Sequence, residues 1–366
     1  MLRQYKLRDY QFSLILWVLS LSILGIMIIG SANESYQSRQ IFGLVLGMIV
    51  MLVFSLIDYT WLLNFSWIMY AAGVVLLVAV LLFGEEVNNA KRWIKIGIQF
   101  QPSDLVKIFL ILFFAGLFSK HENILNRFGF ILLSLLLLAV PLLLILKEPD
   151  LSTTIVTAMT FCVIIFVAGL SSRIVAGILL VTVPASVIFF SIILQPDQTI
   201  LKTYQQIRIL AWLKPEEYPE QAYQQQESII AIGSGQLYGK GLNNDLVSSV
   251  KGGNFLPEAQ TDFIFAVAGE ELGFLGCCVI VLLELLIAVE CVRIARRARD
   301  LSGTVIACGM ASLVMCQSFV NIAVATGLMP NTGITLPFVS YGVTSLITFC
   351  LGIGIVLNIG LQSRKY

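Results

Sequence analysis

Charge is the scarcest commodity in this chain: only 12% of its 366 residues are Asp, Glu, Lys or Arg, against about 25% in a soluble globular domain. That shortage excludes an ordinary soluble domain. A net charge of +1 argues against any general nucleic-acid role, which needs a basic surface to neutralise phosphates. Histidine is nearly missing, with His121 alone, so a His-based triad or a multi-His zinc site has nothing to be built from. The seven cysteines, Cys162, Cys277, Cys278, Cys291, Cys308, Cys316 and Cys350, all fall inside apolar runs. They read as small hydrophobes rather than as a disulfide framework or a metal site. No cleavable signal peptide is expected, because the first apolar run continues to spanning length without a small-residue cleavage pattern. Repeats of solenoid length and low-complexity tails are absent too.

What fills the chain is hydrocarbon: 58% of it is hydrophobic and its mean hydropathy is +0.89. An all-α integral membrane protein follows, since apolar windows of roughly 17 to 25 residues mark spanning helices. Ten spans are predicted, at about 12–30, 41–57, 64–83, 104–119, 130–146, 152–169, 174–195, 263–293, 304–326 and 338–360, within a single polytopic domain over 1–366. The eighth is long and interrupted by Glu270, Glu271, Gly273 and Gly276, so it is open to beginning as a separate short helix outside the membrane. With the N-terminus inside, the inner connections hold Arg3, Lys6, Arg8, Lys120, Arg127, Arg173, Arg293, Arg296, Arg297, Arg299, Arg364 and Lys365, twelve cations. The short outer ones hold Arg39, Lys91, Arg92, Lys95 and Lys147, which is five. This excess places both termini in the cytoplasm and the long loop of about 196–262 outside.

In that loop Tyr204, Arg208 and Trp212 recur at four-residue spacing, which predicts an amphipathic helix lying on the outer leaflet. Gly233, Gly235, Gly239 and Gly241 predict tight turns or close approach to a ligand. Asp262 follows, where the polar loop meets an apolar run, and an acid at the edge of hydrocarbon is by default a functional-site hypothesis. The other unusual polar residues fall on the same outer side: Lys91, Arg92, Lys95, Asp104, Lys107, Lys147, Glu148, Asp150, Glu258, Asn331 and Thr332. Each also has a plain structural explanation. The cations at 91, 92 and 95 suit interfacial snorkelling, and Asp104 or Asp262 suits a helix N-cap. Lys107 is placed to pair with Asp104 across one turn, and Asp150 suits a tight turn beside Pro149. Convergence on one face is what favours a site for an anionic head group. Glu284 and Glu290, by contrast, read as helix–helix hydrogen-bonding groups, His121 as solvated, and Asp58 as a cap. Arg296, Arg297 and Arg299 suit anionic lipid at the inner leaflet.

Several segments, taken in order, resemble the SEDS family (shape, elongation, division and sporulation), to which RodA and FtsW belong. They are Lys91-Arg92-Trp93-Ile94, Gln101-Pro102-Ser103-Asp104-Leu105-Val106-Lys107, Pro149-Asp150-Leu151, Leu256-Pro257-Glu258 with Thr261-Asp262-Phe263, Gly269-Glu270-Glu271-Leu272-Gly273, and Leu336-Pro337-Phe338-Val339-Ser340-Tyr341-Gly342. The resemblance implies a peptidoglycan glycosyltransferase that polymerises lipid II at the outer face of the bacterial plasma membrane. It also implies a class B penicillin-binding protein as partner, supplying the transpeptidase. The family's essential aspartate falls on Asp262, its Gln-Pro-Ser-acid residue on Asp104 with a lysine at Lys107, and its Pro-Asp-Leu acid on Asp150. The chain departs from the family pattern at Glu148, Glu227, Gln236, Ala323 and Val343, which leaves open a specialised paralogue.

Joining two lipid II units means that a sugar 4-OH attacks an anomeric carbon and expels lipid pyrophosphate. Asp262 is the candidate base. Lys107, then Lys91, Arg92 and Arg208, are the candidates for holding pyrophosphate, with Glu258 in support. Asp104, Asp150 and Asp262 are also candidates for holding a divalent cation, magnesium or manganese; the sequence leaves the metal undecided. Two other classes compete: a lipid II flippase, which needs polar groups through both halves of the membrane, and a non-catalytic scaffold of a cell-wall synthase.

Overall fold

The computed structural model describes residues 10–87, 90–96, 98–177, 180, 203–243 and 256–362. Among them are eight helices long and apolar enough to cross a membrane. These are α1 (Phe12–Ala32), α2 (Glu34–Leu56), α4 (Ser66–Phe83), α5 (Pro102–Lys120), α6 (Phe128–Lys147), α10 (Ile264–Arg296), α11 (Leu301–Ala325) and α12 (Val343–Leu361). Shorter helices are α3 (Tyr59–Leu63), α7 (Leu151–Val167), α8 (Thr203–Leu213) and α9 (Pro219–Ser234). Nine of the ten predicted spans thus coincide with described helices; the predicted span 174–195 lies almost wholly outside the described residues.

The helix limits follow local chemistry. Asn33, Asp58, Asp150 and Asp300 cap α2, α3, α7 and α11 by accepting main-chain N–H groups. Pro102 and Pro219 open α5 and α9, where a missing N–H costs nothing. Helices α5, α11 and α12 are the most enclosed, whereas α1, α2, α4 and α6 turn large apolar side chains outward. The latter is the arrangement expected where lipid, not water, is the solvent. Helix α2 runs along α12, with Gly43 against Val343 and Gly47 against Cys350; small residues let such helices approach closely.

Between α4 and α5 the sequence predicts only a connection, but the chain there forms a three-stranded antiparallel sheet. Its strands are β1 (Glu85–Val87), β2 (Ala90–Ile96) and β3 (Ile98–Phe100), in the order β1-β2-β3. The register pairs Glu86 with Lys91 and Ile94 with Phe100.

The interruption predicted in the eighth span is a kink. Gly273 has φ 66° and ψ −166° inside α10, and residues 264–271 before it are buried. A break of this kind strands main-chain groups, and the turn after α9 satisfies them. Lys240 and Gly241 donate N–H to the carbonyls of Glu270 and Glu271 at 2.9 Å each, while Phe274 and Leu275 donate to Gln236 and Leu237 at 2.8 and 3.2 Å. Lys240 pairs with Glu270 at 2.7 Å, and the Ser31 hydroxyl donates to Glu271. Gly235 and Gly239 serve close approach to α10, where a Cβ would meet the carbonyls of Gly269 and Glu271, whereas a Cβ at Gly233 or Gly241 would meet nothing within 4 Å. Helix α8 forms where predicted, although Trp212 and Arg208 bond to the carbonyls of Gly327 and Asn331. These bonds tie it to the α11–α12 connection; the side chain of Tyr204 is outside the described residues.

Gly239 has φ +78°, and a side chain there would run into the Glu271 carbonyl. Gly239→Ala is expected to destabilise the protein by about 1–3 kcal/mol. A thermal midpoint equal to wild type in detergent would contradict this account of the α9–α10 junction.

Candidate functional site

At one end of the bundle the polar residues surround a groove of about 1540 Å³. That is larger than the roughly 300–1,000 Å³ of drug-sized sites. Arg92 and Trp93 enter it from β2, Gln101 and Asp104 from the start of α5, Thr153 from α7, and Arg208 and Trp212 from α8. Glu258, Thr261 and Asp262 come from the segment before α10, and Asn331 and Gly333 from the α11–α12 connection. The groove reaches across to Tyr36 and Arg39 at the start of α2.

Asp262 is partly buried in this lining and does not cap a helix, because the α10 N-cap is Phe263 and carries no side-chain bond. Its backbone is fastened carbonyl by carbonyl. The Tyr341 N–H donates to Gln260 O at 2.9 Å, the Ser340 hydroxyl to Thr261 O at 2.6 Å, and the Asn321 amide to Asp262 O at 2.8 Å. Just upstream, Glu258 turns the chain with φ +56°, and its carboxylate accepts from the Thr261 hydroxyl at 3.2 Å. Burial pushes the Asp262 carboxyl up to about 6; the nearby charges of Glu258 and Asp150 push the same way, and Arg92 and Arg208 oppose them. Gly333 makes room for this carboxylate: at φ +69° it has no side chain, and a Cβ would stand 3.2 Å from Asp262 Oδ2 and 3.8 Å from Arg92 Nη1.

Arg92 is held by the carbonyls of Glu148, 3.3 Å from Nε, and Pro149. Arg208 donates to Asn331 O at 3.5 Å. Both guanidinium groups therefore stand on the groove wall beside the acid. Lys91 lies on β2 opposite Glu86, and its side chain is outside the described residues. Lys107, ranked first among the cations by sequence, is not on the lining. It is 3% exposed and lies beneath the groove, with Nζ 2.8 Å from Asp104 Oδ1, 2.7 Å from Gln317 Oε1 and 5.7 Å from the centre of the Phe349 ring. The buried ammonium is already paired with Asp104 one turn away and with Gln317, below the lining that Arg92 and Arg208 reach. Asp104 is not the cap of α5, a place taken by Gln101; it is the partner of Lys107 and touches the groove.

Asp150 is buried and accepts from Thr153 N at 3.0 Å and Gln101 Nε2 at 3.1 Å. Neighbouring Glu148 is fully buried, and neither carboxyl oxygen has a hydrogen-bond partner. Burial raises its pKa to about 9, Asp150 adds to the rise, and Arg92 opposes it, so it is neutral at pH 7. Among the described residues no group of three or more His, Cys, Asp or Glu lies close enough to hold a metal ion. The set Asp104, Asp150 and Asp262 does not assemble into a cage, because Lys107 and the α7 cap occupy the first two. Far from the groove, Glu290 accepts from Ser13 at 2.8 Å across α10 and α1, the helix–helix role expected of it.

Sequence reasoning missed three residues. Arg39 entered only as a topology charge, although it lines the groove. Gln317 and Asn321 are uncharged and sit in the C-terminal half of α11, where only their spacing of one turn could have flagged them.

A model of the family FTSW_RODA_SPOVE, described as cell cycle protein, matches residues 9–365. A relative named probable peptidoglycan glycosyltransferase FtsW, from Geobacter sulfurreducens, is 35% identical over 381 residues, 98% of this chain and 97% of its own. Another, peptidoglycan glycosyltransferase MrdB of Escherichia coli, is 35% identical over 354 residues, 95% of this chain and 92% of its own. The crystal structure of the rod shape determining protein RodA of Thermus thermophilus superposes with a TM-score of 0.72 at 29% identity, covering 98% of both chains. A chain solved for the structural coordination of polymerization and crosslinking by a peptidoglycan synthase complex gives 0.78 at 29%, covering 96% of this chain and 97% of that one.

Because Arg92 holds the Asp262 titration down, Arg92→Gln is expected to raise it above about 6. Infrared titration of the carboxyl stretch, assigned with Asp262→Asn, reads this directly. A midpoint that stays or falls contradicts the electrostatic account.

Proposed function

The chain belongs to the family of FtsW, RodA and SpoVE, and on that premise we propose that it polymerises lipid II with Asp262 as the general base. It is a multi-pass membrane protein whose relatives carry the name peptidoglycan glycosyltransferase. The observation that carries the assignment of the base is the Asp262 carboxyl: partly buried on the groove wall, raised to about 6, with Arg92 and Arg208 beside it.

The reaction needs a base and a stabiliser of phosphate charge within reach of one sugar. The acceptor 4-OH oxygen forms a bond to the anomeric carbon of the donor. Its proton passes to the Asp262 carboxylate, and the bond from that carbon to the pyrophosphate oxygen breaks. An α-linked donor and a β-linked product require inversion, consistent with direct displacement. A base with a pKa near 6 is ionised at neutral pH and is a stronger proton acceptor than an ordinary surface aspartate, which suits general base catalysis near pH 7. Fixed guanidinium groups stabilise the charge on the departing pyrophosphate; Arg92, Arg208 and Arg39 line the groove for this. Asp104, Lys107, Asp150 and Glu258 act in support, holding the lining and the segment before α10.

The inner excess of Lys and Arg supports an orientation with both termini in the cytoplasm and the groove at the outer face of the plasma membrane. A class B penicillin-binding protein is the proposed partner. The likeness to a chain from a complex that coordinates polymerization with crosslinking supports it.

Removing one positioned general base typically costs 10²–10⁴-fold, so Asp262→Asn is expected to lose polymerisation to that extent while inserting and folding as wild type. Purified protein incubated with fluorescent lipid II, with products resolved on a gel, reads this out. Glycan chains at the wild-type rate would overturn the assignment, and transfer of lipid II between leaflets without chains would point to a flippase. The sign of the pH dependence is also set: the ionised form is the active one, so the rate is expected to fall as pH drops through about 6. A limb near the ordinary carboxylate range would place the base elsewhere.

A further inference from the structure

We propose that Asn321 and Gln317 are positioning residues for the reaction, two side-chain amides of α11 that set where the Asp262 carboxylate stands relative to Arg92 and the groove floor. They lie four residues apart, so they share one face of the helix, and they are 1% and 0% exposed. Neither lines the groove. The Asn321 amide donates to Asp262 O at 2.8 Å and to Ile334 O at 2.6 Å, which fastens the segment before α10 to the α11–α12 connection through a single nitrogen. One turn earlier, Gln317 Nε2 donates to Thr335 O at 3.0 Å and to the Thr335 hydroxyl at 3.3 Å. Its carbonyl accepts from Lys107 Nζ at 2.7 Å, and that ammonium pairs with Asp104 at 2.8 Å.

A continuous path thus runs from Asp104 at the groove, through Lys107 and Gln317, to residues 334–335, then through Asn321 to Asp262. Residues 334–335 adjoin Gly333, the residue whose missing side chain makes room for the carboxylate. Ordering matters because a base must come within about 2.6–3.2 Å of the proton it takes, and a misplacement of about 1 Å costs on the order of 10²-fold.

A merely structural role would lower the yield of folded protein. A positioning role changes the environment of the acid as well. Asp262 faces Glu258 of its own segment, Arg92 of β2, Asp150 of α7 and Arg208 of α8. Releasing its carbonyl lets water reach the carboxylate, and hydration favours the charged form. This inference rests on Asp262 acting as the base.

The test measures kcat, KM and the pH profile of polymerisation for purified Asn321→Ala, with Asp262→Asn in parallel. Asn321→Ala is expected to lower kcat by about 10–100-fold, to leave KM within about twofold, and to move the acid limb below about pH 6. Gln317→Glu keeps an acceptor for Lys107 but loses both donations to Thr335. It is expected to fold and to lower kcat by about 10-fold. Unchanged kcat in both variants, or activity lost only in proportion to folded protein with the limb unmoved, overturns the inference. Wild-type polymerisation by Asp262→Asn would instead show that the base assignment has failed.

Discussion

A carboxylate removed from water is unstable unless its surroundings are fixed, and that constraint shapes this end of the protein. Asp262 is kept ionisable but raised to about 6 by burial and by Glu258 and Asp150, with Arg92 and Arg208 limiting the rise. Such a balance survives only if the acid cannot drift toward bulk solvent or collapse onto a guanidinium. The chain meets this with backbone anchoring: the carbonyls of Gln260, Thr261 and Asp262 are each taken by a donor from α11 or the connection leading to α12. Arg92 is held in turn by the carbonyls of Glu148 and Pro149.

The same logic explains charges that sit beneath the groove. Burying Lys107 is tolerable because Asp104 and Gln317 satisfy it; removing one partner of such a pair would leave an uncompensated charge at a cost of several kcal/mol. Glu148 meets burial differently, by staying protonated. Lys107 is therefore paired beneath the groove, while the exposed Arg39 and the wall residues Arg92 and Arg208 line it. The kinked α10 belongs to this scheme, since the turn after α9 satisfies the main-chain groups freed at Gly273.

Much of this was legible in the sequence. Spanning helices announce themselves because hydrocarbon leaves a main chain few alternatives, and the break in α10 showed in Glu270, Glu271 and Gly273. Several of the polar residues singled out in the sequence (Arg92, Asp104, Arg208, Glu258 and Asn331) line the groove with Asp262, because acids and cations in so apolar a chain are few. Other features were hidden for identifiable reasons. The strand β2 alternates over only a few residues and carries Lys91, Arg92 and Lys95, which resemble snorkelling cations. Lys107 reads as an available charge because its burial depends on Gln317 and Phe349, more than two hundred residues away. Asn321 and Gln317 carry no charge, so a reading led by charge passes them over, and Arg39 reaches the groove only through the packing of α2 along α12.

The central claim is that Asp262 takes the proton from the attacking sugar. An experimental structure of the wild-type protein with lipid II bound tests it most directly, by the distance from the acceptor 4-OH oxygen to the nearer Asp262 oxygen. The account predicts a hydrogen bond of about 2.6–3.2 Å, with the donor pyrophosphate among Arg92, Arg208 and Arg39. A sugar seated away from Asp262, with another group poised at that hydroxyl, would contradict it.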